Sequence, residues 1–116
     1  MAGTFTGVMK LKIVEATGLR PPNATGNRLQ HIDPYCQIQI DETPVARTTA
    51  KLDTVEPKWG EEFETSCHRG RCMELGIFHK ELVGDGAYVA SVSVPFADFI
   101  EGPEGTKSLR VRPKCG

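Results

Sequence analysis

The sequence has no long apolar run, few aromatic residues and almost no net charge. No stretch approaches the roughly 18 apolar residues that suggest a membrane-spanning helix, and the opening MAGTFTGVMK lacks the apolar segment of a signal peptide. These absences predict a cytoplasmic chain. Aromatic residues make up 7%, and 14 basic residues are dispersed among 15 acidic ones for a net charge of -1. This composition argues against binding to nucleic acid.

Catalytic motifs are also missing. None of His31, His68 and His79 stands in a recognisable motif with a serine, cysteine or carboxylate nucleophile. Cys67 and His68 are adjacent, and adjacent residues of a strand point to opposite faces of the sheet. The sequence therefore predicts a domain that is not an enzyme and that needs no cofactor.

The cysteines do not form a metal-binding motif. With no export signal, the four cysteines are expected to be free thiols. Some of them lie near histidines, but there is no CxxC, and the spacing matches no common structural zinc site. We therefore predict no metal at this group, which consists of Cys67, His68, Cys72 and His79.

What the sequence does contain is an alternation of hydrophobic and polar residues. In VMKLKIVEA, Met9, Leu11 and Ile13 fall on one face and two lysines on the other, the period of two of a half-buried strand. A further short strand is expected in VARTTA. The other sets predicted to share a face are Cys36, Ile38 and Ile40; Trp59, Glu61 and Phe63; Met73, Leu75 and Ile77; Tyr88, Ala90, Val92 and Val94; and Leu109 with Val111.

Residues that break regular structure separate these segments. Gly, Pro, Asn or Asp occur between all of them, and only PFADFIEG predicts a short helical turn. About seven short strands at this spacing are typical of an antiparallel β-sandwich. A chain of 116 residues supports one modest hydrophobic core. We therefore predict a single all-β domain over residues 1–116.

Alternate connections of an antiparallel sandwich emerge at the same end of the molecule. The loops at residues 19–33, 51–58 and 79–87 are therefore expected to cluster, and binding residues commonly lie on such loops. Their few scattered carboxylates offer too few oxygens for calcium. Asp33, which precedes a proline, is expected to bond nearby backbone amides instead. The basic residues of these loops favour an anionic ligand.

Several segments resemble one known family. DPYCQIQID, RTTAKLDTVEPKWGEEF and MELGIFHKELVGDGAYVASVSVPFADFI look like successive strands of a C2 domain, most closely the one that opens novel protein kinase C enzymes of the epsilon and eta kind. The leading KLKIVEATGLRP is similar as well. The resemblance implies an eight-stranded antiparallel β-sandwich. It also implies that this domain is a regulatory module of a longer serine/threonine kinase.

The resemblance further implies a ligand. Such modules bind phospholipid membranes peripherally, and the expected lipids here are the anionic phosphatidic acid and phosphatidylserine. Lys80, Gly86 and Ala87 stand where relatives carry loop acids, so calcium-independent binding is expected. The candidate lipid-binding residues are Arg20, Arg28, His31, Lys51, His79, Lys80, Leu82 and Val83.

Protein docking is the alternative that the sequence leaves open. Residues 15–22 and 79–86 match family segments implicated in contacts with anchoring proteins and in intramolecular contacts. The candidate docking residues are Glu15, Leu19, Arg20, Lys80 and Asp85. The family's eighth strand should follow the final LRVRPKCG. Its absence implies either a truncated domain or an exposed sheet edge that can pair with a second copy of the chain.

Overall fold

The described part of the molecule is built from antiparallel strands and the turns between them. The structure is a computed structural model that describes residues 4–20, 32–81, 86–96 and 114–115. A two-stranded sheet has the order β1-β4, and a five-stranded sheet has the order β3-β2-β5-β6-β7. The all-β antiparallel prediction is confirmed. The strands are β1 (Phe5–Glu15), β2 (Pro34–Ile40), β3 (Thr43–Arg47), β4 (Lys58–Gly70), β5 (Cys72–His79), β6 (Ala87–Pro95) and β7 (Lys114–Cys115).

Apolar side chains from both sheets form the core. In one cluster, Met9 and Cys67 of the two-stranded sheet pack with Ile38, Met73 and Phe96. A second cluster surrounds Trp59 and includes Leu19, Ile32, Cys36, Ile77, Val89 and Ala90. Removing this apolar surface from water is the main driving force for folding. The second cluster includes residues that flank the predicted binding loops, so the core supports those loops directly.

The predicted alternation holds for most of the strands. Cys36, Ile38 and Ile40 are buried on β2, as are Met73 and Ile77 on β5. On β4, Trp59 is buried and its indole Nε1–H donates to the Pro34 carbonyl over 3.3 Å. Phe63, two positions beyond Glu61, is half-buried against the first cluster. Sequence periodicity thus identified the inner faces of these strands.

The prediction that Tyr88 shares a face with Ala90, Val92 and Val94 is wrong. Ile77 is opposite Ala90 and Phe78 is opposite Tyr88, so Val89 is an extra residue in β6. Such a β-bulge changes the face on which the following side chains lie. Val89 and Ala90 are both buried, whereas Tyr88 is 42% exposed on the outer face of the five-stranded sheet.

The strand predicted in VARTTA begins and ends earlier in the structure than the sequence predicts. Strand β3 covers Thr43–Arg47 and leaves the sheet at Thr48, whose hydroxyl accepts a 2.9 Å hydrogen bond from the Cys36 N–H. The hairpin before β3 turns through Asp41 and Glu42 with φ of 49° and 72°. The helical turn predicted in PFADFIEG after Phe96, and the strand predicted around Leu109 and Val111, lie outside the described residues.

Candidate functional site at the loop end

Backbone hydrogen bonds join the three predicted loops at one end of the sandwich. The Leu19 N–H donates to the Val55 carbonyl over 3.3 Å, and the Thr54 N–H donates to the Ile32 carbonyl over 2.9 Å. These two bonds link the first loop to the second. The described parts of the loops therefore cluster, as the alternation of antiparallel strands predicts.

Asp33 connects the first loop to both others. Its carbonyl accepts the Lys80 N–H over 3.0 Å, and its N–H donates to His79 Nδ1 over 3.0 Å. Its carboxylate Oδ1 accepts the Asp53 N–H over 2.8 Å. Asp53 has a φ of 59°, a left-handed conformation that is uncommon for residues other than glycine. Asp33 bonds a backbone amide as predicted, but this amide is distant in the sequence.

His79 has a different role from the one the sequence suggests. Its Nδ1 is the acceptor for the Asp33 N–H, which requires an unprotonated nitrogen at that position. His79 is also only half-exposed. It therefore helps to hold the first loop against the third.

Three candidate cations lie at this end of the sandwich. Arg20 and Lys80 are exposed and Lys51 is half-buried. The Lys51 N–H donates to the Pro34 carbonyl over 3.0 Å, which fixes the backbone from which its side chain extends. Exposed acids stand on the same loops, namely Asp53, Glu56 and Glu81. The site therefore offers three cations that an equal number of exposed acids balances.

Two docking candidates behave differently from each other. Leu19 is only 7% exposed and packs in the cluster around Trp59, so its side chain is not available to a partner. The assignment of Leu19 as a docking residue is therefore corrected to a core residue. Glu15 is exposed at the end of β1, opposite Lys58 of β4. Arg28, His31, Leu82, Val83 and Asp85 lie outside the described residues.

Leu52 is a residue that the sequence reasoning missed. It is 75% exposed at the tip of the loop between β3 and β4. The Lys51 amide is hydrogen-bonded to Pro34 of β2 and the Asp53 amide to Asp33 of the first loop, so the leucine extends from a fixed backbone. The signal in the sequence was a lone hydrophobic residue between two charged ones in a turn-rich segment.

The described residues do not assemble a metal-binding group. Among them, no three His, Cys, Asp or Glu side chains lie close enough to hold an ion. Cys36, Cys67 and Cys72 are free thiols. Burial raises the pKa of the Cys36 thiol to about 12, and burial together with the charge of Asp41 raises the pKa of the Cys67 thiol. Raised pKa values make these two thiols poor nucleophiles.

A membrane-spanning helix is not found in the described ranges.

The family model described as "C2 domain" matches residues 7–111. Protein kinase C epsilon type from Rattus norvegicus is 34% identical over 104 residues, covering 84% of this chain and 14% of that protein. Protein kinase C eta type from Homo sapiens is 30% identical over 104 residues, covering 83% of this chain and 15% of that protein. The chain thus spans a small part of the curated relatives that it matches.

Solved structures give a similar result. The RIM C2A domain from Drosophila superposes with a TM-score of 0.66 at 24% identity, covering 82% of this chain and 79% of that one. The C2A domain of plant Extended Synaptotagmin 1 superposes with a TM-score of 0.64 at 27% identity, covering 78% of this chain and 70% of that one. These likenesses agree with the arrangement of strands described above.

Proposed function

Because the chain belongs to the C2 domain family, we propose that it is a calcium-independent regulatory module that places a signalling protein on membranes containing anionic phospholipids. C2 domains are non-catalytic and generally target membranes or lipids. The proposed lipids are phosphatidic acid and phosphatidylserine. We further propose that the parent is a novel-type protein kinase C, cytoplasmic at rest and peripheral on membranes when active.

The observation that carries this proposal is the display of Arg20, Lys51, Leu52 and Lys80 on loops held by hydrogen bonds to one another. Each basic residue near an anionic bilayer contributes about 1 kcal/mol, and the contribution falls off within a Debye length. Burying a leucine side chain contributes about 1.5–3 kcal/mol. Because hydrogen bonds already hold the described parts of these loops, little further entropy is lost there when they touch the lipid.

Calcium independence is supported by the hydrogen bond that the Asp33 carboxylate already accepts. Calcium takes six to eight oxygen ligands and usually needs several carboxylates at one point. The Asp33 Oδ1 is engaged by the Asp53 N–H, and the exposed Lys80 follows His79 where a further acid would be needed. An ion bound at Asp33 would therefore compete with the Asp53 N–H for the charge of this carboxylate.

Vesicle cosedimentation with matched charge reversals tests this proposal. In Lys51→Glu/Lys80→Glu, binding to phosphatidylcholine vesicles containing phosphatidylserine or phosphatidic acid should fall by at least about tenfold. The control is Lys10→Glu/Lys12→Glu, which changes the net charge equally on the outer face of β1. Binding of the unmodified chain should be equal in calcium and in chelator. Equal losses in the two variants, or a requirement for calcium, would contradict the proposal.

Leu52 allows the apolar contribution to be measured separately. Leu52→Ser should weaken binding most clearly at high salt, where charge attraction is screened. Its side chain is 75% exposed, so the substitution should leave the folded domain intact. Binding should also be measured on vesicles of pure phosphatidylcholine. If Leu52→Ser loses the same affinity there at every salt concentration, the leucine contributes general apolar adhesion and not insertion assisted by charge.

A further inference from the structure

The outer face of the five-stranded sheet carries a row of aromatic rings. The guanidinium of Arg47 lies 5.5 Å from the centre of the Tyr35 ring. Tyr35 stacks on Phe78 with centroids 5.8 Å apart, and Phe78 meets the edge of Tyr88 at 6.0 Å. The rings cross strands β2, β5 and β6, and the guanidinium of Arg47 extends the row to β3. It exists because the bulge at Val89 turns Tyr88 outward.

A groove begins beside this row. Its first part is a cavity of about 110 Å³ with Phe78 and Tyr88 as apolar wall and Glu74 as an acidic group. The amides of Gln37 and Gln39 and the hydroxyl of Ser91 also line it. Ser91 Oγ is hydrogen-bonded to the Tyr88 hydroxyl over 2.8 Å. A cavity of this size accommodates a single long side chain rather than a folded element.

The groove continues toward the end of the sandwich opposite the loops. Glu74 also lines a hollow of about 520 Å³ that reaches Asp41, Glu42 and Arg71. Three carboxylates against one guanidinium give this stretch a formal charge of -2 (one positive minus three negative). Asp41 accepts hydrogen bonds from the backbone amides of Arg71 and Cys72. Glu74 is exposed, and within the described part of the chain its carboxylate forms no hydrogen bond or ion pair.

We propose that this groove binds an arginine side chain presented by an extended segment of a protein partner. A planar guanidinium can stack on the ring of Phe78 or on that of Tyr88, which lie 77° apart, and form a bidentate hydrogen bond with Glu74. The amide oxygens of Gln37 and Gln39 can accept its other N–H groups. Arginine fits better than lysine because its fork of donors is planar and stacks on aromatic faces.

Two observations favour this occupant. The chain already places one guanidinium on an aromatic ring of the same row, since Arg47 lies over Tyr35. The charge of -2 along Asp41, Glu42, Glu74 and Arg71 attracts a basic segment and repels an anionic bilayer. The inference goes beyond the proposed membrane function and concerns a different face, so it stands or falls independently of lipid binding.

The test is a titration of the ¹⁵N-labelled chain with the peptide acetyl-Ala-Arg-Ala-amide, followed by backbone amide shifts. The largest shifts are expected on β5 and β6 between Glu74 and Phe78 and around Ser91. The same peptide with citrulline, the neutral counterpart of arginine, should produce no saturable shifts. The lysine peptide should bind more weakly than the arginine peptide. Equal binding of the citrulline peptide, or shifts confined to the loop end, would overturn the proposal.

A matched pair of variants completes the experiment. Glu74→Gln should weaken binding of the arginine peptide by about tenfold, whereas Glu62→Gln, at another exposed position on β4, should leave it unchanged. Neither side chain is buried, so both variants should keep the spectrum of the folded chain. Unchanged affinity in Glu74→Gln would overturn the proposal. Competition by phosphatidylserine vesicles for these β5 shifts would overturn the choice of a protein partner.

Discussion

The outer faces of the two sheets carry different chemistry. On the two-stranded sheet, Lys10 lies opposite Glu64 and Lys12 lies opposite Glu62, and all four side chains are exposed. On the five-stranded sheet, the acidic Glu74 lies opposite the neutral Gln39 and Ser93. The first face balances its own charges across the strands. The second face presents aromatic rings, side-chain amides and the Glu74 carboxylate, which has no opposite charge across the strands.

This difference separates a solvated face from a binding face. Cross-strand pairs of opposite charge stabilise a sheet by about 0.2–1 kcal/mol each, so the charges of β1 and β4 are accounted for by the fold itself. The exposed Glu74 has no such cross-strand partner, and its contribution is therefore expected in recognition rather than in stability. Substitutions should accordingly affect stability on one face and binding on the other.

The largest effect is expected where the inner faces of the two sheets meet. Trp59 of β4 is 6% exposed, packs with Cys36 and Ile77 of the other sheet and donates to the Pro34 carbonyl. Trp59→Ala should lower the free energy of unfolding by about 3–5 kcal/mol. Urea denaturation followed by circular dichroism measures the loss. An unchanged midpoint would show that the indole does not join the sheets.

The next effect depends on pH and tests the interior of the five-stranded sheet. Burial raises the pKa of Cys36 from its ordinary value of 9.0 to about 12. In that interval the unfolded thiol ionises while the folded one stays neutral, so stability should fall as pH rises from 9.0 towards 12. Below this interval the contribution of Cys36 should not change with pH.

Cys36→Ala provides the control for this pH dependence. Denaturation curves should show a shallower alkaline loss of stability in the variant, whatever its stability at neutral pH. Cys72 is half-buried and should react with iodoacetamide before Cys36 does. A reversed order of labelling by mass spectrometry would show that β2 opens more readily than its burial indicates.

A smaller effect is expected at the loop end of the sandwich. Asp33→Ala removes the acceptor for the Asp53 N–H and should cost about 0.5–1.5 kcal/mol. The Asp53 amide should also exchange faster with deuterium. Asp33→Asn keeps an oxygen at the same position and should retain most of the protection. Equal protection in the alanine variant would mean that other bonds hold the second loop.

The smallest effect sharpens the comparison of the outer faces. Lys10→Glu places two acids opposite each other on the two-stranded sheet and should cost about 0.2–1 kcal/mol. Adding Glu64→Lys should restore most of this loss in a double-mutant cycle. Glu74→Lys on the other sheet faces neutral residues and should leave stability nearly unchanged. Similar losses at positions 10 and 74 would remove the distinction between the two faces.

The sequence was sufficient to predict most of the described strands, their inner faces outside the bulge in β6 and the clustering of the described parts of the loops, because these follow from a local period of two and from strand direction. It could not reveal contacts between distant segments. The bond from Asp53 to Asp33 and the bond from Asp33 to His79 join residues far apart in the chain. The buried position of Leu19 also depends on such packing. Edge pairing with a second copy stays a prediction.

The extra residue in β6 has a further consequence for how this domain could change over time. Loss of the single codon for Val89 would leave Tyr88 directly before Ala90 and still opposite Phe78, so its ring would keep facing solvent. The deletion would instead remove the buried Val89 side chain from the cluster around Trp59. Homologous domains that differ by one residue at this position can therefore keep the same outer aromatic surface over different cores.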